Sequence, residues 1–115
     1  MHNLLHRLLI NNRGKGFYKV ENNAATDEAT IYLYDPIVSE QWIADYGGGI
    51  TPLMFIKTLA EINASIIHLR INSPGGDVFA ARAMQMAIRE HKSAFVSHID
   101  GIAASAASFL PMATD

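Results

Sequence analysis

Two short stretches of this 115-residue chain hold the residue types that could do covalent chemistry. In "INSPGGD", residues 71–77, a proline and two adjacent glycines follow an apolar run. In "HIDGIAASAAS", residues 98–108, Ser105 stands among alanines, thirty positions after Gly75. A glycine carries no Cβ, so a ligand's backbone can approach Gly75 and Gly76 and meet their N–H groups. A serine at a helix start has a free N–H on the next residue and a helix dipole suited to developing negative charge. Together they supply a hydroxyl nucleophile and two oxyanion donors from different loops, the parts acyl transfer needs. Each stretch also has a plainer reading. "SPGGD" serves as a strand-to-helix turn, with Pro74 presetting φ and Asp77 capping the helix. "GIAASAAS" serves as a tightly packed helix start, and neither stretch supplies a base.

The elements that must position these turns follow from hydrophobic periodicity. "FYKVE" at 17–21 and "ATIYLYDPI" at 29–37 alternate apolar and polar residues around the polar "NNAATDE", which predicts a hairpin. "DYGGGI" at 45–50 reads as a flexible loop. Thr51 as N-cap and Pro52 at N1 open a helix carrying Leu53, Ile56, Leu59 and Ala60. "SIIHLRI" at 65–71 and "SAFVSHI" at 93–99 are short strands. Between them Asp77 caps a helix whose Phe79, Ala83, Met86 and Ala87 recur at helical spacing, a face expected to pack on the sheet. An alanine-rich helix follows from Ser105. Strand, helix, strand, helix is a βαβ pattern, which implies a parallel sheet with right-handed crossovers. Both glycine-bearing turns then fall at the carboxyl ends of strands, where open α/β sheets place ligands.

Composition excludes several classes. With 9 basic and 11 acidic residues the net charge is −2, which argues against a nucleic-acid surface. No cysteine is present, so disulfides and thiolate chemistry are excluded, and a cytoplasmic location is expected. No apolar run reaches the length of a membrane span, and the N-terminal "MHNLLHRLLI" is too interrupted for a signal peptide. "GGGI" lacks the Lys-Ser/Thr of a phosphate loop, and no histidine pair has metal-ligand spacing, so neither cofactor nor metal is expected. Residues 1–16 read as an N-terminal arm. Trp42 and Tyr46 read as packing or interface aromatics, and Met84 and Met86 as core or contact filler.

"INSPGGDVFAA", a helix and then "HIDGIAASAAS" resemble the Clp protease family of serine peptidases, the ClpP-like enzymes. "EATIYLYDPI" and "GGGITPLMFIKTLAEI" resemble its phage and prophage branch, the head maturation proteases. The resemblance covers residue 17 to the end. It implies an α/β fold of the ClpP/crotonase type, with residues 17–115 forming the N-terminal portion of the protease domain and the last strand–helix units missing. It also implies that Ser105 is the nucleophile, that the N–H groups of Gly75 and Ala106 form the oxyanion hole, and that Gly76, Asp77 and Val78 line an extended polypeptide substrate. Asp77 stands where housekeeping members carry an apolar residue. The family's general-base histidine and orienting aspartate both follow the serine, and this sequence ends ten residues after it. His68, His91 and His98 read as structural residues, with His91 suited as a cation to a helix end. Ser108, one turn beyond Ser105, reads as a packing residue. Without its base the 115-residue chain alone is expected to be proteolytically silent.

The implied partners are a polypeptide substrate, other copies in a homo-oligomeric ring, and an ATP-driven unfoldase, with neither nucleic acid nor membrane. Two other readings stay open: a non-enzymatic assembly subunit using the same fold, and a crotonase-like acyl-CoA enzyme.

Overall fold

The computed structural model describes residues 18–114, so the arm assigned to residues 1–16 lies outside the described residues. The hairpin forms as expected. β1 (Tyr18–Asn23) pairs antiparallel with β2 (Glu28–Leu33), in register from Tyr18 opposite Leu33 to Asn23 opposite Glu28. The turn between them is held by the Asn23 side chain, whose Oδ1 accepts the Ala25 N–H, and Asp27 closes it at φ 56°.

β2 then pairs in parallel with β3 (Ile66–Ser73), and β3 with β4 (Ala94–Ala103), giving the sheet order β1-β2-β3-β4. Alternation along β2 and β3 sorts their side chains cleanly. Ala29, Ile31, Leu33, Ile67, Leu69 and Ile71 point into the core, joined by Phe95 of β4. Thr30, Tyr32, His68 and Arg70 point to the other face, which no described helix covers.

Helices pack on the first face. α2 (Pro52–Glu61) begins where expected: Thr51 Oγ1 accepts the Met54 N–H at 3.1 Å, with Pro52 at the first helical position. It buries Phe55 and Leu59, while Leu53 and Ile56 stay exposed. α3 (Val78–Glu90) is capped by Asp77, whose Oδ1 accepts the Ala80 N–H at 2.7 Å. Its inward face is not the expected one. Ala80, Ala81, Met84, Gln85 and Ile88 are buried, whereas Phe79 is 84% and Met86 51% exposed. α3 carries apolar residues on two flanks. The flank with two alanines in its first turn lies against the sheet, because small side chains let the helix backbone approach closely. The Ala83, Met86 and Ala87 flank instead forms an apolar groove with Ile56, Leu59 and Ala60 of α2.

Residues 45–50 also differ from expectation. Asp45 to Gly47 complete a short helix, α1 (Gln41–Gly47), supported by a Gln41-to-Asp45 side-chain bond one turn apart. The chain then returns to pair, with Val38 N–H on Ile50 O and Ile50 N–H on Pro36 O. Ile50 is fully buried, so this stretch is a fixed connection rather than a flexible loop. Trp42 and Tyr46 on α1 are 69% and 75% exposed, which removes them from the core. A four-residue 3-10 turn (Ser105–Ser108) and the short α4 (Phe109–Met112) end the described chain. The Gln85 side chain anchors them by donating to the Phe109 carbonyl. Among the described residues no helix is long and apolar enough to cross a membrane.

Candidate functional site

Three chain segments leave the sheet at the same end, past the carboxyl termini of β2, β3 and β4. After β2, Ile37 is buried and forms parallel bridges to Ile50 on one side and Gly76 on the other. The Ile37 N–H donates to Gly75 O at 2.8 Å, and the Asp77 N–H donates to Ile37 O at 2.9 Å. In such a bridge Gly76's own N–H and carbonyl point away from Ile37, and Gly76 is exposed. A Cβ on Gly76 would come within 1.9 Å of Ile37 O, so the pairing requires glycine there.

β4 runs four residues further than its apolar run suggests. Between Ile71 and Ser73 the register shifts, so that two steps on β3 face four on β4, from Ile99 to Ala103. Asn72 stabilises this irregularity, its Oδ1 accepting the Ile102 N–H at 3.2 Å. Ser73 closes it, its carbonyl accepting the Ala104 N–H at 3.2 Å. The bulge aims the end of β4 at the "SPGG" turn. Neither Asn72 nor Ser73 stands out in the sequence, where the Asp100-Gly101 pair inside an apolar strand is the available signal.

At the resulting junction Gly75 adopts φ 97° and Ser105 adopts φ 51°. A Cβ on Gly75 would lie 2.6 Å from Ala104 O, 2.9 Å from Ala106 N and 3.1 Å from Ser105 Cβ. Thus the structure brings together Gly75, Ser105 and Ala106, three residues singled out from the sequence. Ser105 is exposed, at the start of the 3-10 turn, while Ala106 and Ala107 behind it are buried. A left-handed conformation at a non-glycine residue is sparsely populated and strained, and such strain clusters at functional sites. Ser108 does not share this position: its hydroxyl donates to the Ser105 carbonyl at 2.6 Å.

The Asp77 carboxylate caps α3 and its backbone N–H is held by Ile37. Val78 is 44% exposed beside it. One donor at the junction is already engaged, since the Gly75 N–H donates to the buried Ser73 Oγ at 3.2 Å.

Each histidine singled out from the sequence has other partners. His91 Nδ1 accepts the Ser93 N–H, so Nε2 carries the hydrogen donated to Leu59 O at 2.9 Å. These bonds tie the end of α3 to α2. His68 lies on the uncovered sheet face, with Nε2 2.8 Å from Glu28 Oε1 and Nδ1 2.9 Å from His98 Nε2. The bond from His68 holds the Glu28 carboxyl below its usual range. On the same face Arg70 and Asp100 form a bidentate ion pair, and the Tyr34 hydroxyl also donates to Asp100. Arg70 first and Tyr34 second hold the Asp100 carboxyl below its ordinary value.

Comparison with known proteins places this architecture. The sequence model of the Clp protease family matches residues 12–115. No curated protein matches the chain significantly. Among solved structures, a protein assigned as an enoyl-CoA hydratase from Streptomyces coelicolor A3(2) aligns with a TM-score of 0.56 and 19% identity. The alignment covers 86% of this chain and 43% of that one, so the chain spans less than half the length of its structural neighbour. At that identity the likeness shows the fold: α/β, of the type shared by crotonases and ClpP.

Proposed function

Since the chain belongs to the Clp protease family, we propose that it is the nucleophile-bearing part of a serine endopeptidase that works through an acyl-enzyme on Ser105. In this reading Ser105 Oγ attacks the scissile carbonyl carbon. The hydroxyl proton passes to a base, and the carbonyl oxygen becomes an oxyanion facing the N–H groups of Gly75 and Ala106. Collapse breaks the C–N bond as the amine leaves with a proton, and water then releases the acyl group and restores the hydroxyl. The outward N–H and carbonyl of Gly76 pair with the substrate main chain beside Asp77 and Val78. Such pairing reads backbone rather than side chain and gives broad peptide specificity.

The observation that carries this reading is the contact between the two loops. Gly75 lies against Ser105 Cβ and Ala106 N, and Ser105 is exposed and held at positive φ. None of His68, His91 and His98 serves as the base in this account, because each is bound elsewhere. The base and its orienting carboxylate then come from chain that follows Ser105, in the family's order. The resemblance to the phage branch makes capsid or scaffold protein the proposed substrate. The exposed Trp42, Phe79 and Met112 suit burial between subunits of a ring, and an ATP-driven unfoldase is the proposed further partner.

Likeness to an enoyl-CoA hydratase favours one rival, acyl-CoA chemistry, because an oxyanion hole serves both reactions. The deciding experiment compares the full-length protein with its Ser105→Ala variant on unfolded polypeptide and on acyl-CoA thioesters. Peptide cleavage that disappears in Ser105→Ala supports the peptidase. Thioester turnover that survives the substitution, with no peptide cleavage, refutes it.

A further inference from the structure

Ser73 has a place that the reaction above does not use. It is the last residue of β3, fully buried, and it touches both loops of the site. Its carbonyl accepts the Ala104 N–H and its Oγ accepts the Gly75 N–H, each at 3.2 Å. An N–H donates well along one direction only, and hydrogen bonds weaken steeply as the angle closes. The Gly75 N–H is aimed at a buried oxygen, whereas a tetrahedral oxyanion on Ser105 would sit over an exposed residue. It cannot serve both well.

We infer that Ser73 is a latch on the oxyanion hole: its hydroxyl holds the Gly75 N–H inward at rest, and the hole is completed only when that bond is given up. The inference rests on the serine-peptidase reading and adds a positioning residue to it. The surroundings confine the movement to one peptide unit. The Gly75 carbonyl is fixed by the Ile37 N–H, and the Asp77 N–H is fixed by Ile37 O. On the other side, Ser73 is held to Ala104 through its carbonyl. What can rotate is the Pro74–Gly75 peptide between them. Pro74 has no N–H to lose, and Gly75, already at φ 97°, has the conformational freedom to absorb the change. Releasing a neutral hydrogen bond of this kind corresponds to roughly a two- to twelve-fold factor in an equilibrium constant. The latch therefore lowers the fraction of molecules with a complete hole by that factor.

The test is phosphonylation of Ser105 by a fluorophosphonate, measured as the maximal rate and the half-saturating concentration, in full-length wild type, Ser73→Ala and Ser73→Thr. The latch predicts a maximal rate raised about two- to twelve-fold in Ser73→Ala, with half-saturation unchanged. Ser73→Thr, which keeps the hydroxyl, should label at the wild-type rate. A purely structural role for Ser73 could not produce a gain. Equal or slower labelling of folded Ser73→Ala overturns the latch and leaves the serine peptidase intact. No labelling of Ser105 in any of the three proteins refutes the peptidase reading, and the latch falls with it. If Ser73→Ala fails to fold, the Gly75 amide resonance of wild type decides. A shift on phosphonylation supports the latch, and an unmoved resonance overturns it.

Discussion

Replacing Gly75 by alanine tests the geometry of the site without requiring any activity. Two costs are expected, and the structure separates them. The first is conformational: at φ 97° an L-residue is strained by about 1–2 kcal/mol. The second is steric. The new Cβ would sit 2.6 Å from Ala104 O and 2.9 Å from Ala106 N, both main-chain atoms of the facing loop. Neither can rotate away as a side-chain end would, so the 104–106 loop must shift, at an overpacking cost of roughly 1–3 kcal/mol. Together Gly75→Ala should lose about 2–5 kcal/mol, a large part of a small domain's stability. Gly48→Ala is the control, because Gly48 has a similar φ of 85° but nothing within 4 Å of an added Cβ. It should lose only the conformational part, about 1–3 kcal/mol at its φ 85° and ψ 163°. Urea unfolding followed by circular dichroism measures both. If Gly75→Ala costs no more than Gly48→Ala, the "SPGG" turn does not pack on the Ser105 loop, and the site described here does not exist.

Three further outcomes follow from burial. Met84→Ala should cost about 2–5 kcal/mol, since Met84 is fully buried. Phe79→Ala should stay within about 0.5 kcal/mol in the isolated chain, and a larger loss would return Phe79 to the core. Tyr18, whose hydroxyl donates to Thr58 Oγ1 at 2.6 Å, has its pKa pushed up to about 12, chiefly by burial. A raised phenol pKa contributes stability that is fully present below pH 10 and lost as pH rises toward 12. Alkaline titration of stability should therefore show an added loss of about 2–3 kcal/mol in wild type that is missing in Tyr18→Phe. Parallel curves for the two proteins would contradict the burial of that hydroxyl.

Much of this architecture was legible because it is encoded locally. Thr51-Pro52 and Asp77 announce helix starts through side chains that bond N–H groups three residues on. The alternation in β2 and β3 fixes which residues face the core. The inward face of α3 was not legible, since Phe79/Ala83/Met86 and Ala80/Ala81/Met84/Ile88 both recur at helical spacing. Only the closeness of helix and sheet decides for the alanine side. α1 escaped notice because its seven residues have no side-chain cap and bury none of their own number. At the site, the proximity of Gly75 to Ser105 was suggested by the βαβ order alone. The bulge that achieves it depends on Asn72 bonding across to Ile102, a contact thirty residues apart in sequence. Ser73 was invisible for a similar reason: its use appears only when both turns are seen to meet on it.

Mass spectrometry of the fluorophosphonate-treated full-length protein shows whether Ser105 is an activated nucleophile. An activated Ser105 should carry one phosphonyl group per chain, on the tryptic peptide containing it, with none in the Ser105→Ala variant. Labelling on Ser108, or no labelling of folded protein at all, would contradict it.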